Sequence, residues 1–204
     1  MTQEKNVLRA HFRALRNKRI PDTTEADALL KLWRSLCHQM LLPDSEGIPT
    51  VFFPTAHEPD VRAIVENSRP CLLPALVDDE GHPYDTPRWA LYESGSDGCL
   101  WKPERAPAQP RGNVMSPTTI ARSLIVLVPC LAVDLSGTRL GQGGGWYDRV
   151  LPHVPPHVPI IAVAHDEAVL PAGFLPRERH DIPVHAFLTP TRYAIVNKLR
   201  DPLL

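Results

Sequence analysis

The sequence predicts an α/β fold: a single three-layer domain, residues 1–204, with a mostly parallel central sheet and helices on both faces. Three observations support this prediction. Short β-branched and apolar runs at 50–54, 124–128 and 160–164 alternate with segments of helical periodicity, which is typical of a parallel sheet covered by helices. The run at 124–128 is apolar throughout, as expected for a strand buried on both faces. A chain of 204 residues can also bury one substantial core.

The first helix is predicted over residues 5–20, where Leu8, Phe12 and Leu15 recur at helical spacing among six basic residues. Three interpretations of this basic amphipathic helix remain open. It is a solvated surface helix, an arm for nucleic acid or a membrane surface, or a helix that lends cations to a polyphosphate. Composition alone favours the solvated helix.

A second helix is predicted to begin after Asp22 and to end near Pro43. Asp22 and Glu25 have the spacing of a capping box. An apolar stripe that includes Trp33 and Met40 follows at helical spacing, so this helix is expected to face the core.

A buried strand at 50–54 is predicted to lead into a third helix that carries Val61 and Ile64. Glu58 and Asp60 precede these apolar positions. Acidic side chains in a first helical turn interact favourably with the helix dipole, and this is the structural interpretation of both residues.

Other apolar runs complete the expected fold. Strands are predicted at 71–77 and at 184–188, the latter being the last one. Residues 88–101 are expected to form an antiparallel pair, 88–92 with 99–101, around a turn at 94–98. Residues 102–117 are rich in proline and are expected to be loop.

Charge and composition argue against several classes of protein. The 22 basic and 23 acidic residues give a formal net charge of −1, which provides no field for nucleic acid or anionic lipid. No apolar run approaches the roughly 20 residues of a membrane helix. Four cysteines without a Cys-x-x-Cys pair or a secretory segment are interpreted as reduced thiols. We therefore expect a cytoplasmic monomer or weak homodimer without nucleic-acid or membrane partners.

The chemistry is predicted to lie in the glycine-rich stretch 139–149. Its glycines lack a Cβ, so the backbone can take positive φ and aim successive amide N–H groups at one anion. They are Gly141, Gly143, Gly144 and Gly145. Arg139 and Arg149 flank them with guanidinium groups that match phosphate oxygens, and Asp148 offers a carboxylate oxygen for magnesium.

Trp146 and Tyr147 add flat apolar surfaces to this stretch. Neither the P-loop pattern nor the dinucleotide fingerprint fits it, because no lysine follows the glycines and Trp146 stands where a glycine is needed. A glycine-rich turn that only links a strand to a helix is the alternative. The bracketing arginines and aspartate favour the anion site.

The run from Arg139 to Arg149 resembles the signature loop of the 5-formyltetrahydrofolate cyclo-ligase family, also called methenyltetrahydrofolate synthetases. The similarity extends to residues 129–134, which resemble the family's Pro-x-Leu-Ala-Phe-Asp with Val133 in place of phenylalanine. It includes the segments Ala-His-Asp at 164–166 and Asp-Ile-Pro at 181–183. An N-terminal Lys-x-x-x-Arg also matches.

The resemblance implies the roles of residues that would bind ATP and magnesium. Lys5, Arg139 and Asp148 are the candidate catalytic residues, and Asp148 is the candidate metal ligand. The candidate ATP-binding residues are Lys5, Arg9, Arg139, Gly141, Gln142, Gly143, Gly144, Gly145, Trp146 and Tyr147. Being four apart, Lys5 and Arg9 project from one helix face toward the same phosphate tail.

The resemblance also implies a folate site formed by Phe53, Glu58, Gln142 and Trp146, in which Glu58 holds the pterin. Two positions depart from the family. Some members have aspartate, as a second magnesium contact, where this chain has His185. Many have Glu-Pro where this chain has Gln109-Pro110, so a binding role for 102–117 does not transfer.

The implied reaction is the ATP- and magnesium-dependent conversion of 5-formyltetrahydrofolate to 5,10-methenyltetrahydrofolate, with release of ADP and phosphate. A non-catalytic nucleotide or folate binder and a basic-helix interaction protein are the alternatives. Ligands of parallel sheets bind at the carboxyl ends of strands, so Glu58, the glycine loop and His165 are expected to share one cleft. The two His-Asp pairs, at 165–166 and 180–181, lack a third ligand at a spacing diagnostic of zinc.

Overall fold

The computed structural model describes residues 3–20, 22–40, 46–93, 100–104 and 106–199. The α-helices in these residues are α1 (Gln3–Asn17), α2 (Glu25–Met40), α3 (Arg62–Asn67) and α4 (Trp146–Val150), and three short 3-10 helices are formed by Pro117–Arg122, Leu151–His153 and Asp166–Ala168. The strands are β1 (Ile48–Thr50), β2 (Cys71–Val77), β3 (Pro83–Tyr92), β4 (Leu100–Trp101), β5 (Gln109–Pro110), β6 (Val114–Met115), β7 (Ser123–Pro129), β8 (Ala132–Asp134), β9 (Arg139–Leu140), β10 (Ile160–Val163), β11 (Val169–Leu170), β12 (Ala186–Leu188) and β13 (Tyr193–Ile195).

Eight of these strands form the main sheet, in the order β13-β12-β10-β7-β1-β2-β3-β6. The five inner strands from β12 to β2 run parallel, and the strands outside them pair antiparallel. A small sheet of β11, β8 and β9 and a pair of β4 and β5 complete the strands. The predicted mostly parallel central sheet is confirmed.

Strand β7 lies at the centre of the sheet and is buried on both faces. Val126 and Val128 pack in one core cluster, to which α1 and α4 contribute, whereas Ile125 and Leu127 pack in a second cluster with α2 and α3. Because successive side chains of a strand point to opposite faces, a strand covered by helices on both sides is apolar throughout. The predicted helices on both faces are therefore present.

The first strand differs from its predicted position. It spans Ile48–Thr50, and the chain then leaves the sheet after Val51, whose N–H still donates to the carbonyl of Leu72. Phe52 and Phe53 line a cavity beyond the strand's end. Their apolar character serves that cavity, which explains why the pattern predicted a longer strand.

The predicted pairing within residues 88–101 is wrong. Strand β3 pairs with β2 and β6, and β4 pairs with β5. The proposed turn at 94–98 and Cys99 lie outside the described residues. Residues 102–117, expected to be loop, contain β5 and β6, and β13 follows the strand expected to be last.

Gln109 explains why β5 lies beside β2. It is 2% exposed. Its side-chain oxygen accepts the N–H groups of Leu76 and Val77, and its nitrogen donates to the carbonyl of Val77 at 2.7 Å. These bonds satisfy backbone groups where β2 ends, so this side chain has a structural role.

The helix starts also depart from expectation. Asp22 accepts the N–H and hydroxyl of Thr24 in a local turn, and α2 begins at Glu25 without a reciprocal capping box. Helix α2 is described as far as Met40, and its predicted end near Pro43 lies outside the described residues. Nowhere in the described ranges does a helix have both the length and the apolar character needed to cross a bilayer.

Candidate functional site

A cavity of about 370 Å³ lies where the carboxyl ends of β1 and β7 meet the glycine-rich stretch. Phe53 follows β1 at its wall, and Pro129 ends β7 there. All the predicted catalytic, ATP, folate and metal residues line this one cavity: Lys5, Arg9, Phe53, Glu58, Arg139, Gly141, Gln142, Gly143, Gly144, Gly145, Trp146, Tyr147 and Asp148. The expectation that Glu58 and the glycine loop share a cleft is met.

The glycine loop uses its conformational freedom at two positions. Gly143 has φ +99° and Gly145 has φ +66°, values that residues with a Cβ rarely adopt. Gly141 and Gly144 have ordinary φ, so only two of the four glycines take the predicted positive φ. Gly145 turns the chain into α4, whose five residues begin at Trp146.

Helix α1 supplies cations from one of its faces. Lys5 is 6% exposed and Arg9 8% exposed, so the solvated interpretation is wrong for these two residues. Arg9 Nε donates to the carbonyl of Gly141 at 3.1 Å. Arg13, which sequence reasoning missed, donates to the backbone and side-chain oxygens of Gln142. Helix α1 is therefore hydrogen-bonded directly to the glycine loop.

Lys5 is anchored by carboxylates near the end of the chain. Its Nζ donates to Asp181 Oδ2 at 2.7 Å and lies 3.5 Å from Glu178 Oε2. Burial acts to raise the pKa of Asp181, but the hydrogen bonds from Lys5 and from the N–H of Glu178 outweigh it and hold the pKa below its usual range. Asp181 is thus an anion at neutral pH, paired with Lys5.

Glu178, His180 and Asp181 have ligand atoms within 4.8 Å of one another. Ligand atoms this close together are able to hold a metal ion, and the group contains one of the two His-Asp pairs. The Lys5 ammonium already provides a positive charge 2.7 Å from Asp181. We therefore describe the two carboxylates of this cluster as the ion-pair partners of Lys5.

Arg139 and Asp148 form an ion pair of 2.5 Å. The Arg139 side chain is 7% exposed and that of Asp148 is 40% exposed, so the carboxylate is the accessible partner. Magnesium is commonly bound by one or two carboxylates together with substrate phosphates, and Asp148 fits that role if Arg139 turns toward a phosphate. Arg149 is exposed and does not line the cavity, which corrects its predicted flanking role.

Two aromatic rings, Trp146 and Tyr147, line one wall of the site, and a third, Trp89, packs behind them. The ring of Trp146 packs edge-on against Trp89 at 4.8 Å and against Tyr147 at 4.9 Å between centroids. Trp89 is fully buried and was not identified from the sequence. Burial raises the pKa of Tyr147, so its hydroxyl stays neutral. Trp146 is therefore held between the rings of Trp89 and Tyr147.

Glu58 lies before α3, not in its first turn, because the helix begins at Arg62. One oxygen of Glu58 accepts the N–H of Thr55 at 2.8 Å, and the other lies 3.6 Å from Nη1 of Arg16. Asp60 is likewise outside the helix, and its Oδ1 accepts the backbone N–H of Arg62, the first residue of α3, at 3.2 Å. The predicted first-turn position of both acids is wrong.

His165 and His185 lie outside the cavity. His165 lines a neighbouring groove, where one ring nitrogen is 3.1 Å from the carbonyl of His57 and the other is 3.5 Å from Glu25. His185 Nδ1 accepts the N–H of Ile160 at the amino end of β10, whereas the cavity lies at the carboxyl end. The expected place of His165 in the shared cleft is wrong, and His185 has a structural contact.

A family model described as the 5-formyltetrahydrofolate cyclo-ligase family matches residues 1–190 of the 204. The chain belongs to this family. The resemblance carried by the glycine loop is thereby confirmed, and so is the prediction of a ligase of folate metabolism.

Relatives of known name agree with membership of the cyclo-ligase family. A 5-formyltetrahydrofolate cyclo-ligase from Mycolicibacterium smegmatis is 34% identical over 146 residues, which are 69% of this chain and 72% of that protein. The protein of the same name from Escherichia coli K12 is 34% identical over 85 residues, 41% of this chain and 46% of its own length.

Two solved structures share the cyclo-ligase fold. The NMR structure of Aquifex aeolicus 5,10-methenyltetrahydrofolate synthetase has a TM-score of 0.71 at 23% identity and covers 97% of this chain and 95% of its own. A 5,10-methenyltetrahydrofolate synthetase from Mycoplasma pneumoniae has a TM-score of 0.58 at 18% identity, with 92% and 99% covered. At such identities the likeness speaks for the fold alone.

Proposed function

We propose that this protein converts 5-formyltetrahydrofolate to 5,10-methenyltetrahydrofolate with ATP and magnesium, releasing ADP and phosphate. One observation carries the proposal. A single cavity collects buried cations and a glycine loop together with a carboxylate and aromatic rings. Buried cations and a glycine loop suit a phosphate tail, whereas a carboxylate and aromatic rings suit a flat heterocycle with N–H donors. We assign the whole reaction to one domain, residues 1–204.

The chemistry begins with a poor electrophile, because the formyl carbon on N5 is part of an amide. Transfer of the γ-phosphoryl group to the formyl oxygen turns that oxygen into a leaving group and releases ADP. The N10 lone pair then attacks the formyl carbon, N10 loses its proton, and the C–O bond breaks to release phosphate. Atoms and charges balance without a covalent enzyme intermediate.

The phosphate end of the site uses Lys5, Arg9 and Arg139. Their positive charges, with the loop amides, neutralise charge on the phosphoryl group during transfer. Asp148 is the residue that would hold magnesium, which supplies further charge neutralisation on the phosphate oxygens when bound. Arg139 and Asp148 both line the cavity, so the Arg139 guanidinium would leave Asp148 and bind a phosphate oxygen.

The folate end uses Glu58, Phe53, Trp146 and Gln142. The Glu58 carboxylate accepts N–H donors of the pterin ring. Phe53 and Trp146 provide the apolar surfaces between which a flat ring fits. Gln142 is held by Arg13 and lies between the two ends, where it borders the folate.

The partners in this proposal are small molecules, a reduced folate and ATP, with no nucleic acid or membrane, and the protein acts as a monomer or weak homodimer in the cytoplasm. Cys37, Cys71 and Cys130 are free, and burial raises the pKa of each to about 12. Free thiols with a raised pKa react slowly and are compatible with a reducing compartment. The RNA-binding alternative is disfavoured because Lys5 and Arg9 are buried.

The test mixes purified protein with folinate, ATP and magnesium and follows the near-ultraviolet absorbance of the methenyl product. Turnover that requires all three is expected. Lys5→Met and Asp148→Asn should each lower the rate at least about tenfold, a loss of about 1.4 kcal/mol, whereas Lys18→Gln, an exposed change beyond the same helix, should not. A protein that is stabilised against heat by ATP yet forms no product would be the non-catalytic binder.

A further inference from the structure

Arg16 lies on the same face of α1 as Lys5 and Arg9. The three residues are spaced by four and seven positions, which places them along one helix face. Lys5 and Arg9 line the cavity and Arg16 does not. Its side chain is only 11% exposed, so a full positive charge is held in the protein interior.

The surroundings of Arg16 give it one anionic partner. Within the described residues, Glu58 is the carboxylate with which it forms an ion pair. Burial lowers the pKa of the Arg16 guanidinium, and the negative charge of Glu58 acts against that shift. Nη1 of Arg16 is buried without a hydrogen-bond partner. A buried cation of this kind is strongly unfavourable unless an anion lies close by.

Each carboxylate oxygen of Glu58 has one neighbouring group. Its side chain is 8% exposed. Oε2 is bound by the N–H of Thr55 at 2.8 Å, while Oε1 lies 3.6 Å from Arg16 Nη1. The second distance exceeds that of an N–H···O hydrogen bond. Arg16 thus supplies positive charge near Oε1 without occupying its lone pairs.

We propose that Arg16 is a positioning residue for the folate substrate: it holds Glu58 as an oriented anion whose free lone pairs accept adjacent ring N–H donors. This inference rests on the proposed function, in which Glu58 contacts the pterin. Arg16 acts through Glu58 and does not touch the substrate. Its loss should therefore weaken folate binding and leave the phosphate end of the cavity unaffected.

The experiment is a double-mutant cycle of Arg16→Gln and Glu58→Gln. The dissociation constant of folinate is measured by quenching of tryptophan fluorescence, since Trp146 lines the cavity, and the KM values of folinate and ATP are measured in parallel. Each single variant should weaken folinate binding by roughly 10-fold to 100-fold. The double variant should be no weaker than Glu58→Gln alone, and the KM of ATP should stay within about twofold.

Two further variants keep the test decisive. Arg16→Lys retains the charge and should restore folinate binding to within about fivefold of wild type, even if Arg16→Gln folds poorly. Lys18→Gln is the matched control for removing a basic residue from this region. ATP binding and thermal unfolding report whether each variant is folded.

Additive losses in the double variant would overturn the inference, because Arg16 would then act independently of Glu58. So would an equal weakening of folinate and ATP, which a general structural role predicts. If Arg16→Gln binds folinate normally while Glu58→Gln does not, the inference alone fails. If Glu58→Gln binds folinate as tightly as wild type does, Glu58 has no part in folinate binding. The folate site of the proposed function then fails, and the inference fails with it.

Discussion

Replacing Lys5 with methionine should destabilise the fold and impair phosphate binding, and the two effects can be separated. Lys5 Nζ lies 2.7 Å from Asp181 and 3.5 Å from Glu178. Methionine has a similar length but no charge. The Lys5→Met variant therefore leaves two carboxylates close together without their cation, in a region where Asp181 is 17% exposed.

The magnitude follows from these contacts. A hydrogen bond between charged groups contributes about 1.5–3 kcal/mol when it is well formed, and the longer contact to Glu178 adds less. We expect a loss of about 2–3 kcal/mol. For a domain of this size each kcal/mol shifts the melting temperature by about 2–4 °C, so a decrease of about 4–12 °C is expected.

The pH dependence has a defined sign. Burial acts to raise the pKa of Asp181, but the hydrogen bond from Lys5 and the other bonds to this carboxylate outweigh it. The pKa of Asp181 is therefore depressed in the folded protein. A depressed carboxyl pKa contributes stability above its unfolded value of about 3.9, and this stability is lost as the pH falls through the lower folded value. The difference in unfolding free energy between wild type and Lys5→Met should be present at pH 7 and should shrink as the pH falls below about 4.

Urea unfolding at several pH values, with ATP binding at pH 7, measures both effects. Adding Asp181→Asn to Lys5→Met should recover most of the stability, because the unpaired charge is removed, but none of the ATP affinity. Equal recovery of both would show that Lys5 acts on ATP only through folding. A Lys5→Met protein as stable as wild type at pH 7 would refute the importance of this ion pair.

Three other changes test separate parts of the structure. Gln109→Glu removes the donor to the carbonyl of Val77 and buries a carboxylate, so thermal unfolding should show a loss of about 2 kcal/mol; an unchanged melting temperature would contradict the assigned bonds. Gly143→Ala places a Cβ at φ +99°, a strain of about 1–2 kcal/mol, and should raise the KM of ATP about 5-fold to 30-fold, with a smaller effect from Gly144→Ala. Asp148→Asn should raise the magnesium concentration for half-maximal rate at least about tenfold, and an unchanged magnesium titration would remove Asp148 as the ligand.

The long apolar runs were predictable from sequence because burial on two faces leaves a clear signal. The strand at 71–77 was predicted with the bounds observed, and the central strand was predicted within one residue at each end. Strands of two residues, such as β4 and β5, carry no such signal. The Gln109 side chain bonds β5 to the backbone of β2, and no periodicity in the sequence records a bond from a side chain to a distant strand.

The site was predicted through the resemblance of its loop, and the burial of the basic helix was missed. A usable signal was present: Lys5, Arg9, Phe12 and Arg16 share one helical face, and Phe12 belongs to the core. Cations on the apolar face of a helix are expected to be paired or functional. The composition of the whole helix obscured this, because it counts the buried Lys5 and Arg9 together with exposed charged residues such as Glu4 and Arg13.

The contacts of α1 link the beginning of the chain to its last quarter. Lys5 bonds to a residue 176 positions away, and Arg9 to one 132 positions away. During synthesis, the contacts of Lys5 and Arg9 can therefore form only after their distant partners, Asp181 and Gly141, have been made. A truncated chain that ends before residue 181 would retain the glycine loop but lack both the Lys5 anchor and strands β12 and β13, so the nucleotide end of the cavity should form only once nearly the whole chain has been made.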